Sequence, residues 1–205
     1  MKLKNKIDPS YEFELLEKYD SVIGIDEVGR GCLAGPLVVA SFVLRKGDVL
    51  LQVNDSKVLS SKKREELSIE LIKFDHGISE ISVDDIDSLG LSKALLKGYI
   101  ESISKLNIKG KCIVLLDGNV KYDLGIESIS IVDGDAKCYS IASASIIAKV
   151  YRDKIMRDLS LKYPLYHFEK NVGYGTKDHL KALKDFGICE LHRKSFKPIS
   201  TYLGT

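Results

Sequence analysis

The stretch SVIGIDEVGRGCLAGP, Ser21 to Pro36, decides how the rest of the chain is read. Its short apolar run, Val22 to Ile25, reads as a buried strand, and that strand ends on two adjacent carboxylates, Asp26 and Glu27, ahead of a glycine-rich turn. Side chains at a strand end face a crevice rather than bulk water. Two ionised acids there repel each other and lose hydration, so something positive is needed. A divalent cation with oxygen ligands is the simplest remedy. From these two residues alone, a turn cap at Asp26 beside a solvated Glu27 is equally open. Gly29-Arg30-Gly31 favours the cation reading, because flanking glycines let backbone approach a ligand closely while the guanidinium meets an anion.

Working outward, Leu37 to Leu44 reads as a second strand, followed by Lys46-Gly47-Asp48 as a turn. A helix is expected over Lys62 to Phe74. Ile78, Ile81 and Val83 are read as a strand, and Leu91, Leu95, Tyr99, Ile103 and Leu106 recur at helical spacing. Cys112 to Leu116 is a continuous apolar run ending on Asp117-Gly118-Asn119, and Ser128 to Val132 is a strand ending before Asp133 and Asp135. One helix with a small-residue face (Ala142, Ala144, Ser145, Ala148) is expected over Ala136 to Leu161, and another over Lys177 to Phe186. Strands mixed with helices early and helices late give an α/β layer with a helical C-terminal portion. No repeat, low-complexity tract or linker marks a domain break, so residues 1–205 read as one domain whose helical part covers about 160–205.

Three separate strand ends therefore deliver acids: Asp26 with Glu27, Asp117, and Asp135. In open α/β sheets ligands gather in the crevice at strand ends, so acids distant in sequence can converge there. Four carboxylates together suit two Mg²⁺ or Mn²⁺ ions roughly 3.5–4 Å apart, an arrangement for phosphoryl transfer. Taken singly, Asp117 also fits a turn and Asp135 a helix cap.

With 205 residues, 44% of them hydrophobic, the chain can bury a sizeable core. No apolar run is long enough to span a bilayer, and the opening MKLKNKIDPSYEFE has no signal-peptide core, so a cytoplasmic protein without a membrane partner is expected. Cys32, Cys112, Cys138 and Cys189 form no CxxC pair, which argues against a zinc module and a disulfide framework. The net charge of +2 is uninformative, but its distribution is not: Lys149 to Lys197 holds 12 basic against 6 acidic residues. A basic C-terminal third fits contact with a polyanion.

GIDEVGRGCLAGP, the Asp55-Ser56-Lys57 segment with Leu59-Ser60, LLDGN, GDAK running into SIASASIIAKVYRD, GYGT and HRKSF, in that order from about Val22 to Phe196, closely resemble ribonuclease HII. The resemblance implies a ribonuclease H-like fold, a mixed five-stranded sheet flanked by helices with a helical C-terminal portion. It implies a divalent-metal-dependent endonuclease acting on RNA/DNA hybrids and cutting 5′ to single ribonucleotides embedded in duplex DNA, leaving 3′-hydroxyl and 5′-phosphate ends; a monomer is expected. Ribonuclease HIII shares some motifs but carries an extra N-terminal domain for which this chain is expected to have no room.

By motif, Asp26, Glu27, Asp117 and Asp135 match the family's metal-binding catalytic carboxylates. Gly29, Arg30 and Gly31, with Tyr174 of GYGT, match its reader of the 2′-hydroxyl, the one group that separates RNA from DNA at a site. Because successive strand residues point to opposite faces, Asp26 and Glu27 can share a site only if the strand ends or twists there, with Gly24 and Gly29 permitting the distortion. Ser56, Lys57, Lys137, Lys177, Arg193 and Ser195 stand where phosphate contacts are expected. His76 and His179 read as ordinary surface or strand residues, His192 as an orienting group, and Asp153 as a helix ion-pair partner or structural acid rather than a fifth ligand.

Overall fold

The computed structural model describes residues 7–48 and 52–203; the first six residues, part of the opening read above for a leader, lie outside the described residues. Helix α1 (Ser10–Leu16) leads into β1 (Ser21–Val28) and β2 (Leu37–Arg45). Helix α2 (Ser61–Leu71) and β3 (His76–Ile81) follow, then α3 (Val83–Leu89) and α4 (Leu91–Ser104). Strands β4 (Cys112–Asp117) and β5 (Ser128–Ile131) precede a one-turn helix α5 (Gly134–Lys137) and the long α6 (Tyr139–Lys162). Helices α7 (Phe168–Asn171) and α8 (Lys177–Phe186) lie in the C-terminal part.

The five strands form one mixed sheet in the order β3-β2-β1-β4-β5. The pairs β1–β2 and β2–β3 are antiparallel, and β1–β4 and β4–β5 are parallel. Helices cover both faces, which explains why β1 and β2 are near-continuous apolar runs rather than alternating ones. Alternation survives as a partition between two cores. Val22, Val38, Ala40 and Phe42 pack with α6 on one face, while Ile23, Ile25, Val39 and Val114 pack with Leu95 and Tyr99 of α4 on the other. A third cluster, built from Met156, Tyr166, Phe168 and Leu183, lies under Leu33 and Ala34.

Three expectations are corrected. Val83 does not extend β3 but opens α3, because the Ser82 hydroxyl accepts the Asp85 amide hydrogen and caps a helix there. The helix expected from Ala136 is broken at Cys138, whose extended backbone separates α5 from α6. The cause is Glu12 of α1: buried, it accepts the amide hydrogens of Tyr139 and of Ser140 (2.8 Å), so a carboxylate from elsewhere occupies the N-terminus of α6. Gly24 serves close packing rather than strand distortion, since a Cβ there would sit 2.1 Å from the Ser140 carbonyl carbon. The backbone of β1 thus touches the first turn of α6.

Candidate active site

Strand β1 carries Asp26 and Glu27 inside its antiparallel ladder, where Asp26 pairs with Ala40 and Glu27 with Val39. On its other edge the parallel ladder with β4 stops at Ile25 opposite Leu116. One residue later on each strand, β1 and β4 present Asp26 and Asp117 at a parting of the sheet. Local divergence on one edge, not the end of the strand, brings both neighbouring acids to one cleft. Asp135 arrives from α5, just beyond β5. The cleft, of about 340 Å³, is lined by all four acids together with Gly29, Arg30, Ser56, Lys57, Arg64, Ser145, Lys149 and Tyr174.

Each acid is held by specific donors. Asp26 is 7% exposed, takes the Glu27 amide hydrogen at 2.7 Å and accepts from the Ser145 hydroxyl. Glu27 accepts from the Tyr99 hydroxyl at 2.8 Å and from Arg30 at 3.3 Å. Asp117 accepts the Gly134 amide hydrogen at 2.7 Å, and Asp135 accepts from the Lys57 ammonium at 2.6 Å. These bonds orient the carboxylates without neutralising the set. Burial, with the charges of Glu27 and Asp117 added, pushes Asp26 up to about 8. Burial also raises Glu27, against the pull of Tyr99 and Arg30, and raises Asp117. Such acids call for positive charge.

The chemistry of the donor set decides which cation fits. The cleft offers carboxylate oxygens and no imidazole or thiolate, which suits a hard ion and not zinc. Among the described residues no three His, Cys, Asp or Glu side chains are gathered tightly enough to enclose an ion by themselves.

The family model described as Ribonuclease HII matches residues 23–199. The chain belongs to the ribonuclease HII family. A curated ribonuclease HII of Clostridium beijerinckii is 45% identical over 199 residues, covering 93% of this chain and 73% of that protein. One from Chlamydia trachomatis is 44% identical over 193 residues, covering 92% and 88%. Among solved structures, the ribonuclease H2 of Pyrococcus horikoshii aligns with a TM-score of 0.74 and 26% identity over 89% of this chain and 96% of that one. The ribonuclease HII of Archaeoglobus fulgidus, solved in complex with PCNA, aligns with a TM-score of 0.73 and 29% identity over 86% and 95%. As a ribonuclease HII the chain is an endonuclease of the ribonuclease H class with the mixed five-stranded sheet of its structural neighbours.

The remaining motif residues of this ribonuclease HII separate into two groups. Gly29, Arg30, Lys57 and Tyr174 line the cleft, with Tyr174 at 43% exposure. Ser56 lines it too, but its buried hydroxyl pairs with that of Ser145 at 3.0 Å, tying the Asp55-Ser56-Lys57 loop to the support of Asp26. Lys137 and Lys177 are exposed outside the cleft lining. Ser195 is bonded to Asp87, through its hydroxyl (2.5 Å) and its amide hydrogen (2.9 Å).

Arg193 is the clearest departure from expectation. It is fully buried, its guanidinium is spent on the carbonyls of Gly35 and Arg30, and it has no open face for a phosphate. His179 likewise is not a surface residue: it is fully buried, with its Nε2 3.1 Å from Nε2 of His192 and its Nδ1 2.9 Å from the Tyr174 carbonyl. Asp153 pairs with Lys149 at 2.7 Å as a helix partner. The sequence alone assigns no site role to Tyr99, Ser145, Arg64 or Lys149, all of which the structure brings to the cleft or its supports. Tyr99 gave one signal, a hydroxyl inside an otherwise apolar helical stripe, which has to find a polar partner.

Proposed function

We propose that this ribonuclease HII cleaves the RNA strand of RNA/DNA hybrids and cuts on the 5′ side of single ribonucleotides embedded in duplex DNA, with two divalent ions, Mg²⁺ or Mn²⁺, held by Asp26, Glu27, Asp117 and Asp135. The observation that carries the proposal is the presence in one cleft of four carboxylates, Gly29 and Arg30 of the glycine-rich turn, and the half-exposed Tyr174 ring. Bound ions would lower the pKa of an attacking water and stabilise charge on the leaving 3′ oxygen. The carboxylates hold their side of that arrangement: Ser145 fixes Asp26, Tyr99 and Arg30 fix Glu27, and the Gly134 amide fixes Asp117.

Arg30, Lys57, Arg64 and Lys149 supply positive charge around the same cleft for backbone phosphates. The ammonium of Lys57, a mobile point charge on a long stem, can exchange Asp135 for a phosphate as substrate arrives. Backbone at Gly29 to Gly31 can reach a 2′-hydroxyl because nothing lies within 4 Å of where a Cβ on Gly31 would stand. The Tyr174 hydroxyl can donate to the 2′ oxygen while its ring covers the sugar. Expected products are a 3′-hydroxyl and a 5′-phosphate. Cytoplasmic location and a monomeric state complete the reading; no helix among the described residues is long and apolar enough to cross a membrane.

The deciding experiment incubates the protein with an end-labelled DNA duplex containing one ribonucleotide, an RNA/DNA hybrid and an all-DNA duplex. Cleavage of the first two and not the third, with Mg²⁺ or Mn²⁺ and abolished by chelation, is the expected result. Salt-sensitive binding without cleavage under any divalent ion would identify a non-catalytic nucleic-acid module instead.

A further inference from the structure

Two fully buried arginines, Arg152 of α6 and Arg193 of the C-terminal part, lie beneath the Gly29–Pro36 loop. Among the described residues neither makes an ion pair with a carboxylate. Arg152 donates to the carbonyls of Pro36 (2.8 Å), Ala34 (3.1 Å) and Val172 (2.8 Å). Arg193 donates twice to Gly35 (3.1 and 2.9 Å) and once to Arg30 (3.1 Å). Burial lowers Arg193 to about 10. Two buried like charges are costly to desolvate, and here the carbonyls they bond offset that cost. The bonds also do something that filling space does not.

What a guanidinium supplies is direction. Its planar fork fixes where each accepting carbonyl points, and so fixes the peptide planes. Five carbonyls from two loops are turned inward onto these two groups. The amides of Arg30 and Gly31, by contrast, donate to no backbone carbonyl among the described residues. Gly29 adopts φ +96° directly over Arg152, whose Nε would lie 2.2 Å from a Cβ there, so the glycine lets the turn rest on the guanidinium. The Arg152 fork also spans both loops at once: it holds Ala34 and Pro36 of one and Val172 of the other, two residues before Tyr174. The amide hydrogens of Leu33 and Ala34, both donated to the Gly173 carbonyl, tie the same two loops together.

We propose that Arg152 and Arg193 are positioning residues for ribose recognition, a carbonyl-bonded cationic clamp that sets the Gly29-Arg30-Gly31 backbone and Tyr174 at a fixed distance from each other. The proposal rests on the reading of those residues as the detectors of the 2′-hydroxyl. Its consequence is specific. On continuous RNA a loop that wanders still meets a hydroxyl at a neighbouring position. A lone ribonucleotide offers only one productive placement, so loosening the clamp penalises that substrate more.

The test compares Arg152→Lys and Arg193→Lys with the parent by kcat/KM on a duplex with one ribonucleotide and on a continuous RNA/DNA hybrid, using the same preparation and metal. Lysine keeps the charge but cannot hold several carbonyls in one plane. Because both rates come from one sample, their ratio is independent of how much enzyme is folded. In at least one variant, the ratio of lone-ribonucleotide to hybrid cleavage is expected to fall by about tenfold or more, with the Mn²⁺ concentration for half-maximal activity unchanged. Equal losses on both substrates in both variants, or a shifted metal requirement with an unchanged ratio, would overturn the clamp while leaving the recognition reading intact. A parent that does not cut the lone ribonucleotide at all would remove the recognition reading itself.

Discussion

The molecule buries charge in two places, one on either side of the Gly29 turn, and it treats them oppositely. At the parting of β1 and β4 four acids crowd together, and burial and mutual repulsion raise three of them, Asp26 to about 8. Behind the Gly29–Pro36 loop two arginines are buried deeper still, yet all their hydrogen bonds run to backbone carbonyls, and Arg193 also lies over the Phe196 ring. The first cluster is incomplete without something from solution. The second is complete. Incompleteness marks where a reaction partner binds, and completeness marks where geometry is stored for it.

The sharpest way to break this contrast is Asp26→Asn. Removing one charge from the incomplete cluster should cost about a thousandfold in cleavage rate, roughly 4 kcal/mol of transition-state stabilisation. The same change relieves repulsion in the metal-free protein, so its melting temperature in chelator should equal or exceed that of the parent. Divalent metal should raise the parent's melting temperature, by about 2.7 kcal/mol of stability at a hundred times the dissociation constant, and leave the variant's nearly unmoved. If the variant instead melts well below the parent in chelator, the acids are structural and the contrast fails.

Packing gives the next effect. Gly24→Ala places a methyl against the α6 backbone, where no flexible side chain can give way. It should destabilise the fold by about 1–3 kcal/mol, read as a lower midpoint in urea, with residual activity tracking the folded fraction. An unchanged midpoint would mean that β1 and α6 are not in the close contact that carries Asp26 and Ser145 toward each other.

How much of this was legible in the sequence differs between the two clusters. The acids were legible because a carboxylate closing an apolar run is physically out of place, which holds for Asp26, Glu27 and Asp117, while Asp135 lies beyond β5 on α5 and was legible by motif. The cationic clamp was not, because Arg152 and Arg193 sit in segments rich in Lys and Arg, where solvated positions look identical in one dimension. Burial of Arg193 depends on Leu33 and Gly35, about 160 residues away, and no local pattern reports that. The same holds for His179: its spacing on α8 fits a surface helix, and only the aromatic shelf of Tyr166 and Phe168 shows that it faces inward. Glu12 was missed for a related reason, since a glutamate on a short amphipathic helix gives no sign that it will cap a helix 127 residues on.

The histidine pair behind the clamp gives a pH-dependent test of completeness. His192 is buried against His179 and is pushed down to about 4 by desolvation, with the neighbouring imidazole adding to the shift. In the unfolded chain the same group takes a proton near pH 6.5. Between those values the unfolded state binds more protons, so this contribution is fully present above about pH 6.5 and is lost on acidification toward 4. The loss reaches about 3 kcal/mol at most. His192→Asn should flatten the fall in melting temperature between pH 7 and 4.5. Parallel curves for parent and variant would show that the pair does not stay neutral in the fold.

The smallest effect concerns the exposed lysines outside both clusters. Lys177, the first residue of α8, faces solvent and shares no ion pair among the described residues, so its removal disturbs neither charge cluster. If it touches the nucleic-acid backbone, Lys177→Ala should weaken binding to hybrid and all-DNA duplexes alike. It should also reduce the slope of log affinity against log salt by about one counter-ion, with no change in the ratio of cleavage rates between substrates. An unaltered slope would confine the phosphate contacts to Arg30, Lys57, Arg64 and Lys149 around the acids. The basic excess of the C-terminal third would then be explained in part by buried arginines that never meet a phosphate.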